Sequence, residues 1–335
     1  MRTSPVVVIH TQPETVHEDA RRALRLCTSR RAPAREGALV VFESGHAGRG
    51  VTSAWALRAI VDHLREAHVD RDRMRVGAVG AEAFPTAETA LDRAIARLDL
   101  RPEALQREGS HTPDVEVPWL RGRRGTEVGV DPRVAGRDLV WAGPLRPERR
   151  HGWRGAVDGA LSLVARDEEL EDADPQTLVE LHRLFEATVA GAIFLLDATV
   201  CPSADGRERP QVHNLILAGR DPIAVEAVAA RVLGYDPERV TWLRALAEGA
   251  RRDISSGGIE VRGGFADDGA LRRTGGRALP ARARAARHRD AVEAPRRWFA
   301  RWNLRRWDRL YARTPWGRLR EHERRAGAST PEGDR

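Results

Sequence analysis

The residues best equipped for chemistry fall in two short stretches. The first is ESGHAGRG at residues 43–50, between an apolar run and a helix-like segment. Its glycines, Gly45, Gly48 and Gly50, let backbone N–H groups approach an anion, and a helix start just beyond favours negative charge. Arg49 presents a planar fork that grips carboxylate or phosphate through two hydrogen bonds. His46 titrates near neutral pH, so Glu43 and His46 are the acid/base candidates. The stretch lacks the lysine of a P-loop and the spacing of a dinucleotide fingerprint. The same letters also suit a glycine-rich turn with solvated side chains.

The second stretch is AGAIFLLDATVCPSADGRERPQVHNLILAGRDPIAVEAVAARVLGYDP at residues 190–237. One apolar run ends in Asp197 and another in Gly219-Arg220-Asp221-Pro222. Two strands that each end at a carboxylate predict a site at one edge of a sheet. Asp197 is a catalytic candidate and Asp221 a ligand-binding one. Carboxylates suit hard cations, so a divalent ion on Asp197, Asp221 and Glu226 is compatible with the spacing, which does not demand it. Asp221-Pro222 equally reads as a helix start, with Asp as N-cap and Pro in the first helical position. In LRPERRHGWRG, His151 and the arginines of 146–150 either complete an anion pocket across the sheet edge or form a solvated loop. His213-Asn214 read as loop hydrogen bonders before a strand, and Cys201 as a buried, inert thiol.

Positioning these residues falls to alternating strands and helices. Strands are expected at 5–10, 37–42, 75–79, 138–141, 192–196, 215–218 and 259–262. Helices are expected at 13–27, 54–67, 87–98, 177–188, 222–234 and 240–250. In the first helix Val16, Ala20, Ala23, Leu24 and Cys27 share one side. In the second Trp55, Leu57, Ile60, Val61 and Leu64 do, behind a Thr52 or Ser53 cap. This order predicts an α/β fold: a mostly parallel, helix-covered sheet with Rossmann-like layering and a helical C-terminal extension. In such sheets ligands bind outside the carboxyl ends of strands. Residues 1–268 form the α/β domain, 269–289 a linker, 290–325 an Arg/Trp-rich helical tail and 326–335 a disordered end.

Residues 191–264 resemble the C-terminal signature of the domain-of-unknown-function 362 family. The matching segments are LLDATV, LILAGRDPIAVEAVAARVLGYDP and IEVRGG. The resemblance implies an α/β fold and a link to redox or metal-dependent chemistry, without a defined substrate. The family usually carries Lys-Pro-Asn where Glu43-Ser44-Gly45 stand here, and a Lys-x-His motif to which Arg146 and His151 are loose counterparts. Glu226 replaces an Asp and keeps its charge. Many relatives also carry a ferredoxin-like cysteine cluster, which Cys27 and Cys201 cannot build. An iron–sulfur cluster held by four cysteines of this chain is excluded.

All 56 basic residues are arginine, which removes every mechanism built on lysine. Residues 277–325 carry a net +11, leaving −4 for the rest of a chain whose total is +7. The body therefore offers no general case for nucleic-acid binding. The tail mixes Trp298, Trp302, Trp307 and Trp316 with arginines. It suits docking on its own acidic body, an acidic protein partner or an anionic membrane surface, with nucleic acid the weakest fit. With no apolar run of membrane-spanning length and no signal-like start, the chain reads as cytoplasmic, with peripheral membrane contact through the tail as an option. The leading expectation is a protein, enzymatic or enzyme-derived, that binds a small anionic ligand at the strand ends. The rival is a non-catalytic accessory protein that works through its tail.

Overall fold

The computed structural model describes residues 4–28, 37–43, 52–79, 90–100, 102–105, 113–124, 128–145, 153–165, 170, 173–201, 211–263 and 313–328. The strands are β1 (Val6–His10), β2 (Ala38–Glu43), β3 (Met74–Val79), β4 (Pro102–Ala104), β5 (Asp138–Pro144), β6 (Gly191–Cys201), β7 (Gln211–Gly219) and β8 (Val261–Gly263). They form one sheet in the order β4-β3-β2-β5-β6-β7-β1-β8. Seven of them point the same way. β7 runs against both of its neighbours, β6 and β1. The fold is the expected α/β class, with this single reversal.

The helices are α1 (Val16–Cys27), α2 (Ala54–Glu66), α3 (Ala90–Arg97), α4 (Pro118–Arg124), α5 (Ala156–Leu161), α6 (Pro175–Thr188), α7 (Pro222–Val232), α8 (Thr241–Gly249) and α9 (Pro315–Ala328). Strand residues alternate between two cores, as the period of two requires. Val6, Val8, Leu39, Val41, Leu139, Trp141, Phe194 and Leu196 face α4 to α8. Val7, Ile9, Ala38, Val40, Val140, Ala142 and Leu195 face α1, α2, α3 and α9. α1 buries Val16, Ala20, Ala23, Leu24 and Cys27, the side its spacing predicts. α7 is buried at every residue, so it sits between the sheet and other helices instead of lying on the surface.

Local chemistry sets the helix ends. Asp174 caps α6 by accepting from the Thr177 amide at 2.8 Å, with Pro175 at the first position. α7 stops at Gly234, whose φ of +82° disfavours any other residue. There the Tyr235 amide reaches back to the Ala230 carbonyl at 2.8 Å. α9 extends to Ala328, into the end that the sequence reads as disordered. Residues 269–289 lie outside the described residues.

Candidate functional site

β6 continues beyond Asp197 to Cys201, so this aspartate is not a strand terminus. It still stands at the carboxyl edge of its neighbours: Asp197 pairs with Pro144, the last residue of β5. Its side chain is tightly engaged. One oxygen accepts from the Thr199 amide at 3.0 Å and the Thr199 hydroxyl at 2.6 Å. The other accepts from the Ser53 hydroxyl at 2.9 Å. The neighbouring Thr52 hydroxyl donates to the Ala142 carbonyl at 2.6 Å. These two residues stitch the start of α2 to β5 near its carboxyl end and to β6 at the same level.

That stitching has a consequence for α2. Ser53 occupies the N-cap position, yet its side chain makes no capping bond, because its hydroxyl goes to Asp197. The first turn of α2 also carries no acidic residue. A helix start keeps amides that its own ladder does not use, and these together with the helix dipole attract anions. Ser53 was legible as a cap but not as the partner of Asp197, and Thr199 carried no signal beyond its closeness in sequence.

Asp221 lies elsewhere. Because β7 is antiparallel, its far end meets the amino end of β6: Gly219 pairs with Phe194, while Ile216 pairs with Asp197. Asp221 is therefore roughly 15 Å of extended chain away from the level of Asp197, on the opposite edge. The expectation of two carboxylates at one edge is corrected, because it assumed that both strands run the same way. Asp221 caps α7, accepting from the amides of Ile223 at 3.0 Å and Ala224 at 3.4 Å. Its second oxygen takes the Ser4 hydroxyl at 3.0 Å and the Arg252 guanidinium at 2.8 Å. Arg252 also bonds Glu186 at 2.7 Å. Asp221 is thus a structural hub of the amino edge and no part of a carboxyl-edge ligand site.

Glu226 is fully buried. Its carboxyl group accepts from the Trp153 indole N–H and, at 2.9 Å, from the Val157 amide. It caps α5 from a different helix. Burial, reinforced by the Asp158 carboxylate, pushes its pKa up to about 8. A carboxyl group that holds its proton at neutral pH and is ringed by N–H donors is a poor cation ligand. Asp197 and Asp221 stand on opposite edges, so one metal ion cannot bridge them. Among the described residues no group of three or more His, Cys, Asp or Glu is arranged to hold a metal. Trp153 stacks on Tyr235 with ring centroids 4.9 Å apart, which fixes the indole that Glu226 needs.

Gly45, His46, Gly48, Arg49 and Gly50 lie outside the described residues, as does His151. Both ends of the first stretch are placed: Glu43 ends β2 beside Val79 of β3, and Thr52 precedes α2, so the connection leaves and returns at the carboxyl edge. The chain likewise leaves β5 at Pro144 and Leu145 at that edge, and residues 146–150 lie outside the described residues. Cys201 is buried, as expected, and its thiol is pushed far up by burial. His213 lies within β7 instead of in a loop before it. Asn214 is a hydrogen bonder, as expected, but its partner is in the tail: its side-chain oxygen accepts from the Trp316 indole at 2.8 Å.

Tail residues 290–312, with Trp298, Trp302 and Trp307, are outside the described part. Trp316 is buried against the protein's own α2–α3 side. Among the described residues no helix is long and apolar enough to cross a membrane. No family model matches the chain, and no curated protein matches it in sequence.

Proposed function

We propose that the protein binds a small anionic ligand at the carboxyl edge of the sheet, at the start of α2. One observation carries the reading: α2 opens at that edge without a side-chain cap or an acidic first turn. The connection between Glu43 and Thr52 holds three glycines and Arg49, the residues suited to gripping an anion there. Asp197, held by Ser53 and Thr199, is the carboxylate nearest that helix start in the hydrogen-bond network and serves as the acid/base candidate, with Glu43 and His46. The resemblance to the domain-of-unknown-function 362 family supports an enzymatic ancestry. In this reading its Asp-Pro and Gly-Tyr landmarks mark the ends of α7, so they transmit fold more than chemistry.

A thermal-shift screen with phosphate, sulfate and small carboxylates tests the reading. Stabilisation by one of these anions is expected, and Arg49→Ala should remove it. Stabilisation that persists in Arg49→Ala would move the site away from this edge.

A further inference from the structure

The C-terminal helix reaches the same edge. Trp316, 2% exposed, donates its indole N–H to Asn214 of β7 at 2.8 Å. Asn214 is two residues from Ile216, the partner of Asp197, and stands at φ +55°, which turns it out of the regular strand. Its carbonyl accepts from the Thr11 amide at 2.8 Å, so the anchor point is itself tied to the end of β1. Further along α9, Leu319 packs into the α2–α3 core and Glu323 pairs with Arg58 of α2. From Trp316 to Glu323 is about 10 Å of helix. α9 also packs on α3. It therefore runs from β7 past Arg58, one turn into α2, to α3, on the face that holds Asp197 and Ser53.

Its attachment is uneven. Trp316 is sunk into the core, while Arg313, Pro315 and Arg318 face solvent. The Arg58–Glu323 pair is partly exposed on the arginine side, where an ion pair contributes little. Trp316 is the one described α9 side chain that is large, apolar and fully sunk into the core.

We propose that α9 is a strap across the carboxyl edge, with Trp316 on Asn214 as its clasp, and that its release uncovers the start of α2. Only the identity of what it covers rests on the anion reading; the strap itself does not.

Hydrogen exchange on the full chain tests it. Trp316→Ala should speed exchange at the amides of residues 54–58 and Thr11 by roughly tenfold or more, the equivalent of one lost hydrogen bond. α6 and α7 on the other face should be unchanged. Trp316→Phe, which keeps a ring but loses the N–H, should fall between. Native-like exchange in α2, or equal loosening of both faces, overturns the strap. Should Trp316→Ala fail to fold, Asn214→Ala with the same readout decides. Inorganic phosphate separates the two ideas. Faster phosphate association in the loosened variant supports gating of an anion site. A protein that binds no phosphate in either form, while α2 still loosens, refutes the anion reading and leaves the strap standing.

Discussion

A Cβ on Gly155 would lie 2.7 Å from both carboxyl oxygens of Glu226. Position 155 has no room for a side chain because a carboxyl group from another helix fills it. Gly155→Ala should destabilise the protein by about 1–3 kcal/mol through overpacking. Glu226→Ala strands the Trp153 and Val157 N–H groups and should cost about 2–4 kcal/mol. Urea denaturation measures both. The double variant should cost less than the sum, since each change damages the same contact.

Glu226 also sets a pH dependence. The folded protein holds its proton up to about pH 8, whereas the ordinary value is 4.5. Its contribution is fully present below pH 4.5 and is lost as pH rises toward 8, with a slope of at most about 1.4 kcal/mol per pH unit. Glu226→Gln should flatten stability across that window. Buried His63 and His182, whose pKa values burial lowers, act in the opposite direction, so the decisive quantity is the wild-type minus Glu226→Gln difference, and one that does not fall across the window would contradict a protonated Glu226.

Asp221→Ala should cost about 1–2 kcal/mol for the lost α7 cap, with little added at Arg252, which keeps Glu186 and the Ala250 carbonyl. It should leave any phosphate-induced thermal shift intact, since Asp221 is on the other edge. A lost shift would mean the two edges are coupled.

Neither cysteine should behave as a reactive thiol. Burial lifts Cys27 to about 12 and Cys201 higher still, with the Asp197 carboxylate adding to the latter. At pH 8 both should react with an aromatic disulfide reagent only as fast as the protein unfolds. Rapid native-state labelling of one thiol would disprove its burial.

The period of the apolar residues made much of the fold legible. The buried side of α1 and the Asp221-Pro222 helix start are written in local spacing and side-chain type. Strand direction is not, because LILA at 215–218 is equally apolar either way. Strand length decides it. The expected strand ends at 196 and 215 leave room for a crossover, but both strands run longer, and the residues left between Cys201 and Gln211, 202–210, are too few for the dozen or more of a parallel connection. Strands read too short thus put Asp197 and Asp221 on one edge. The Ser53–Asp197 and Trp316–Asn214 bonds join residues 144 and 102 positions apart. No single-sequence pattern encodes such distances. Arg49, His46 and His151 stay where the sequence left them, as expectations.

The reversal of β7 also bears on how the chain assembles. β1 precedes the other described strands in the chain, yet it lies between β7 and β8, and its Val6 is matched with Gly219 and Val261. The ribosome must therefore deliver most of the polypeptide before β1 finds either neighbour. Sheet growth from β2, β3 and β5 relies on nearer contacts and can proceed earlier. β1 joins the sheet late instead of seeding it. Until then its Val-Val-Val-Ile run is a bare, adhesive edge in the nascent chain.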